Sequence, residues 1–199
     1  MTFDIINPAT GKKVNSFEEM PADTVREVLE KCASAQRAWA KTPFAERARL
    51  MQSVAGQLRA NNEAYARVMV EEMGKIYSQG IAEVEKCAWA CDYYAENAER
   101  FLASEDVATD AGHSFVSYKP LGVVLAVMPW NFPLWQVFRF AVPALMAGNG
   151  ALLKHAPNVF GCSLLIEKIF LEAGFPENLF RSLLVDIPQT TAVIHNPLV

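Results

Sequence analysis

Leu121-Gly122-Val123-Val124-Leu125-Ala126-Val127-Met128-Pro129-Trp130-Asn131-Phe132-Pro133 is the segment from which the architecture of the chain is read. An unbroken apolar run with β-branched residues, bounded by Gly and Pro, predicts a strand buried on both faces, the kind found in a parallel sheet covered by helices. Pro129 stops it. Pro133 then opens a new apolar segment, where its fixed φ suits the first turn of a helix, so Trp130 and Asn131 fall in a strand-to-helix connection. In open α/β sheets ligands bind in the crevice beyond the carboxyl ends of the strands, which makes a neutral amide there a candidate ligand contact. Asn is also a preferred helix N-cap, and spacing alone leaves both roles open for Asn131.

Working outward, the chain after Leu121 alternates strand and helix. The strand to Met128 is followed by a helix from Pro133 to about Met146, a Gly148-Asn149-Gly150 break and a second strand, Ala151 to Lys154. A helix from Phe160 to Ala173 closes at Gly174, with Pro176 beyond it, and Leu179 to Val185 is a third strand. This is a βαβαβ unit with right-handed crossovers. Gln189 to His195 makes one more short helix, and Asn196 to Val199 reads as the approach to a further strand. Three strands alone leave an exposed apolar edge, so the chain reads as a fragment of a longer protein.

The upstream half is helical. Phe3 to Ile6 and Val14 to Phe17 flank the turn-forming Asn7-Pro8-Ala9-Thr10-Gly11 and predict a hairpin packed as a surface flap. Val25, Val28, Leu29 and Cys32 set an amphipathic helix from Ala22 to near Trp39. Thr42-Pro43 starts a second helix, with Thr as cap and Pro at the first helical position. A third ends at Met73 with Gly74 behind it, and its Glu71-Glu72 pair opposes the helix dipole. The fourth, from about Ser78 to Leu102, carries Trp89, Tyr93 and Tyr94 beside an Ile81-Val84-Ala88-Cys91 stripe, which predicts burial on more than one side. His113 to Lys119 alternates like an exposed strand, with His113 a solvated side chain.

Composition narrows the class of function. With 52% hydrophobic and 20% charged residues the chain is globular, far from the profile of disorder. A net charge of −4 without runs of one sign provides no basic stripe for nucleic acid and no polybasic membrane anchor. The N-terminus lacks a basic-then-apolar leader, and no segment approaches the length of a membrane span, so a cytoplasmic protein with small-molecule or protein partners is expected. The four cysteines, Cys32, Cys87, Cys91 and Cys162, show no C-x-x-C spacing and predict neither a disulfide framework nor a metal site. Cys87 and Cys91, one helical turn apart, read as buried small hydrophobes.

No G-x-G-x-x-G, P-loop or H-E-x-x-H is present, nor a Ser or Cys with an evident His/Asp partner. The candidates for chemistry are Asn131, Lys154 and Arg139. Lys154 ends the second strand on the crevice edge shared with Asn131, where an ammonium meets a phosphate or ribose hydroxyls; an ordinary solvated lysine fits the spacing too. Arg139 stands eight residues past Asn131, roughly two helical turns. Its fork suits a carboxylate, and an exposed helical arginine is the plainer alternative.

Five blocks in order carry a resemblance that goes further. Asn7-Pro8-Ala9-Thr10-Gly11, Glu71-Glu72-Met73-Gly74-Lys75, Pro129-Trp130-Asn131-Phe132-Pro133, Pro143-Ala144-Leu145 with Ala147-Gly148-Asn149 and Leu153-Lys154, and Glu172-Ala173-Gly174-Phe175-Pro176 resemble the aldehyde dehydrogenase superfamily across nearly the whole chain. Trp135-Gln136 and Lys154-His155-Ala156-Pro157 most resemble its bacterial succinate-semialdehyde branch.

The resemblance implies an α/β fold with an N-terminal hairpin and helical part over 1–112, a bridging strand over 113–120, and the first half of a Rossmann-like cofactor-binding domain over 121–199. It implies NAD(P)-dependent oxidation of an aldehyde to an acid: a cysteine thiolate attacks, an asparagine amide and a backbone N–H hold the oxyanion, and hydride passes to nicotinamide. Asn131 matches the oxyanion donor. Trp130 and the backbone around Met128 match the lining of the cofactor channel, and Lys154 matches the lysine on the adenosine ribose or its 2′-phosphate. His155, Ala156 and Pro157 complete that side, with His155 a further contact to a 2′-phosphate. Arg139 matches the arginine on a semialdehyde's distal carboxylate. Where NAD-selective members carry a glutamate stands Pro157, so NADP is expected alongside NAD. The family's nucleophilic cysteine, water-activating glutamate and catalytic domain have no counterpart in these 199 residues. The chain alone is therefore expected to be inactive, the full-length protein a homo-oligomer. The alternative is a non-catalytic fragment with residual dinucleotide binding or a subunit-pairing surface.

Overall fold

The computed structural model describes residues 1–199. Its parallel sheet has the order β5-β6-β7, from Val123–Met128, Gly150–His155 and Phe180–Ser182. Val123 pairs with Gly150 and Met128 with His155 in unbroken register. All six residues of β6 are buried, because a strand flanks it on each side and helices cover both its faces.

The β5 strand differs from expectation. It lies at the edge rather than buried on both faces: Val127 is 56% exposed, and Val124 and Leu125 are only half-buried. Its apolar composition supports a central position, but only β6 pairs with it. Along its free edge runs an open apolar groove of about 470 Å³ lined by Leu121, Val123, Val124, Leu125, Val127, Ile194 and Val199.

Strand alternation sends successive residues of β6 to opposite faces. Leu152 joins Val25, Val28, Leu29 and Cys32 of α1 (Ala22–Trp39) and Val193 of α7 (Ile187–Ile194) in a core of ten residues. Ala151 and Leu153 face a larger core of 32 residues, fed by α2 (Phe44–Ala60), α3 (Asn62–Met73), α4 (Tyr77–Phe101), α5 (Trp135–Met146) and α6 (Phe160–Glu172). The two faces bracket the sheet.

The predicted hairpin forms as β1 (Thr2–Ile6) paired antiparallel with β2 (Lys13–Glu18). Phe3 meets Phe160 edge-on at 5.0 Å, which seats it on the start of α6. Pro43 rather than Thr42 occupies the N-cap of α2, without a side-chain cap. Helix α4 packs against α2, α3 and α5, yet its Trp89–Tyr93 face is exposed and the two rings stack at 5.6 Å. The alternating segment from His113 shortens to β4 (Phe115–Val116), paired with β3 (Glu105–Asp106), and the exposed His113 ring contacts Asp106. No helix is long and apolar enough to cross a membrane, and no cluster of three metal-ligating side chains occurs.

Three polar side chains tie α1 and α2 to the far end of α5. Trp39 Nε1 donates to the Leu145 carbonyl at 2.8 Å, Arg47 Nη1 to Met146 at 2.9 Å, and Gln36 Nε2 to Gly148 at 3.0 Å. They bind carbonyls in the last turn of the helix and just beyond it, of which that of Met146 is one that a helix C-terminus leaves free. The amino-terminal end of α5, beside Asn131, is thereby presented from a fixed base.

Candidate active site at the carboxyl end of the sheet

Helix α5 begins at Trp135, two residues later than Pro133 predicts, with Leu134 as its N-cap residue. Its first free N–H groups, those of Leu134 and Trp135, both donate to Glu83 Oε1 at 2.9 Å, so the cap comes from α4. Asn131 is therefore not the cap. Its side chain is exposed beyond the end of β5 and makes no hydrogen bond, and only its carbonyl is held, by Lys75 Nζ at 3.1 Å. An amide without a structural task at this edge is available to a ligand. Trp130 is 51% exposed beside it.

Lys154 lies opposite Val127 in the β5–β6 register, one step from the end of both strands. Sharing the parity of Leu152, it faces the α1/α7 side, and its ammonium has no ion-pair partner. Burial lowers its pKa from the ordinary lysine value, and the Asp186 carboxylate partly opposes that shift.

His155 is placed otherwise than expected. Alternation turns it to the opposite face from Lys154, where it is fully buried. Its Nε2 lies 2.8 Å from the Pro133 carbonyl and its Nδ1 accepts from the Ala156 N–H. Burial holds its pKa below the usual histidine value. With both nitrogens engaged inside the protein it has nothing to direct at a 2′-phosphate. Ala156 is half-buried and its N–H donates to the Met128 carbonyl, while Pro157 is exposed and starts a single 3-10 turn, Pro157–Val159. Arg139 is exposed and without an ion-pair partner one turn along α5 from Trp135, whose ring carries Lys86 Nζ at 4.0 Å.

Glu83 and Lys75 join the site without any signal in the sequence around them. Their partners lie 51 and 56 residues away, so no local spacing marks them. A similar device sits at the next helix, where Glu72 accepts from the Gly161 and Cys162 N–H groups, each at 2.9 Å, and so caps α6. The cost of placing Glu72 against the dipole of α3 is offset by its service to the dipole of α6.

The sequence model described as the aldehyde dehydrogenase family matches residues 1–198. The chain belongs to the aldehyde dehydrogenase family. A probable NADP(+) succinate-semialdehyde dehydrogenase of Synechocystis sp. is 50% identical over 185 residues, covering 93% of this chain and 41% of that protein. The succinate semialdehyde dehydrogenase [NAD(P)+] Sad of Escherichia coli is 44% identical over 181 residues, 91% of this chain and 39% of its own length. Among solved structures, the succinic semialdehyde dehydrogenase of Streptococcus pyogenes in complex with NADP+ superposes with a TM-score of 0.95 at 33% identity, over 98% of this chain and 43% of that one. This aldehyde dehydrogenase chain thus spans about two fifths of the length of the relatives it matches.

Proposed function

We propose that these residues are the N-terminal part of an NADP-accepting dehydrogenase that oxidises a short ω-semialdehyde, such as succinate semialdehyde, to the acid. One observation carries it: the Asn131 amide stands free at the carboxyl end of the sheet because Glu83 has taken over the cap of α5. Relatives named as succinate-semialdehyde dehydrogenases, one for NADP(+) and one for NAD(P)+, support the substrate class.

The residues present fit a dinucleotide phosphate. Lys154 has no competing ion pair, and exposed Pro157 brings no negative charge against a 2′-phosphate. Lys154 would hold the ribose or its phosphate, with Trp130 and the backbone at Met128 along the channel. The bound dinucleotide supplies the hydride acceptor. The Asn131 amide donates to the oxygen that becomes negative when the aldehyde carbon is attacked, and such preorganised donors are worth on the order of 10²–10³ in turnover. Arg139 pairs with the distal carboxylate and selects a semialdehyde over a plain aldehyde.

The nucleophile is not among the four cysteines here. All are fully buried, and burial pushes the Cys32 thiol up to about 12 and holds Cys87 and Cys162 well above the usual thiol range. A thiol so raised is inert near neutrality. The chain by itself is inactive on this reading, and the attacking thiolate comes from another part of the full-length protein. The deciding experiment is Asn131→Ala in a full-length dehydrogenase carrying these residues: turnover drops by roughly 10²–10³ while NADP+ still binds. Wild-type turnover would end the reading.

A further inference from the structure

We propose that the buried Lys75–Glu83 ion pair is the device that aims the Asn131 amide into the crevice, so that both are positioning residues for the proposed reaction. The inference rests on the oxyanion role of Asn131 and adds what sets that side chain's direction.

The segment from Pro129 to Leu134 is neither strand nor helix, and Trp130, Asn131 and Phe132 are all exposed. Exposed irregular backbone is where a chain has most freedom. Here each end is pinned: the Met128 carbonyl accepts from Ala156, and the Phe132 and Pro133 carbonyls contact the Gln136 N–H and the His155 ring. At Asn131 itself one hydrogen bond exists, from Lys75 Nζ to its carbonyl. Lys75 also lies 3.8 Å from the centre of the Phe132 ring, so one ammonium grips two consecutive residues.

That ammonium is itself fixed. Lys75 pairs with Glu83, their side chains 5% and 2% exposed, and the other oxygen of Glu83 takes the Leu134 and Trp135 N–H groups. A single carboxylate therefore sets the first turn of α5 and the lysine that holds Asn131. A buried ion pair is a poor way to gain stability, because desolvation offsets most of the attraction. What this one does uniquely is fix the distance between α4 and the residue whose amide must meet a reacting oxygen. An error of about 1 Å in such a group costs on the order of 10²-fold in rate.

The test uses Lys75→Met with Glu83→Gln in a full-length dehydrogenase carrying these residues. The pair of substitutions removes both charges together, leaves no lone buried ion, and keeps an amide oxygen for the Leu134 and Trp135 N–H groups. The expected result is a kcat lowered about 10- to 100-fold per folded site, with KM for succinate semialdehyde and Kd for NADP+ changed by less than about threefold. In an Asn131→Ala background the same pair should change kcat by less than about twofold, because residues acting through one group do not add. Losses that multiply with Asn131→Ala, or an unchanged kcat, overturn the positioning role. If Asn131→Ala alone keeps turnover, the oxyanion reading itself has failed; a large loss there with none in the paired variant sinks the positioning alone. Should the paired variant not fold, Lys75→Arg against Lys75→Gln decides, since Arg keeps the charge and a donor and restores most of the turnover that Gln loses. Equal losses in those two would count against the proposal.

Discussion

The Ala156 N–H donates to the Met128 carbonyl at 3.1 Å, which lays the ends of β5 and β6 side by side and brings the segments bearing Asn131 and Lys154 to one edge of the sheet. On the proposed reading, a ligand crossing that edge would meet an amide from one strand end and an ammonium from the other.

Lys154 should therefore discriminate between cofactors. Lys154→Ala in a full-length dehydrogenase is expected to weaken NADP+ roughly 10- to 100-fold, the worth of a charge-assisted hydrogen bond. Calorimetric titration would show a smaller loss for NAD+, and equal losses would remove the phosphate assignment.

A pH dependence follows from the same residue. Burial lowers the Lys154 pKa, so its proton leaves at lower pH than that of a free lysine. NADP+ affinity is then full near neutrality and falls as pH rises, starting below the ordinary lysine range, and Lys154→Met flattens the profile. In the window between the lowered folded value and the ordinary one the unfolded chain binds more protons, so folding stability contributed by this residue rises with pH. Opposite slopes in binding and stability would be the signature.

Arg139 should set substrate choice. Arg139→Ala is expected to raise KM for succinate semialdehyde roughly 10- to 100-fold, the loss of a charged contact, with little change for an uncharged aldehyde of equal length. The same effect on both would end the carboxylate role.

The buried cap of α6 gives a pair of stability predictions with opposite signs. A Cβ at Gly161 would run into the Glu72 carboxylate, so Gly161→Ala loosens the cap and costs about 1–3 kcal/mol in urea unfolding. Gly56, exposed within α2 with nothing near its missing Cβ, should tolerate Ala with a gain of about 0.5–1 kcal/mol.

Much of this was legible in order of residues alone, because the governing interactions are local. The break at Pro129, the stop of α3 at Gly74 with φ +72°, and the helical stripe of Val25, Val28, Leu29 and Cys32 depend on neighbours within a turn or two. They sufficed for the alternating strand and helix, for the helical first half, and for placing Asn131 and Lys154 at strand ends. The family blocks supplied the chemistry to attach to those positions.

Tertiary structure alone decided the rest. Whether β5 is central or at an edge depends on which strands pair with it, and nothing within the strand records its neighbours. His155 turned inward because the register of β6 assigns alternate residues to opposite faces, so the parity that turns Lys154 to the α1/α7 side sends the residue after it to the other. The cap of α5 came from a carboxylate 51 residues upstream, a contact that costs chain entropy to form and leaves no periodic trace. By taking the N–H groups that Asn131 would otherwise have served, that carboxylate left the amide free. The sequence by itself determined that an amide would stand at this turn; only the packing of α4 against α5 determined what it was free to do.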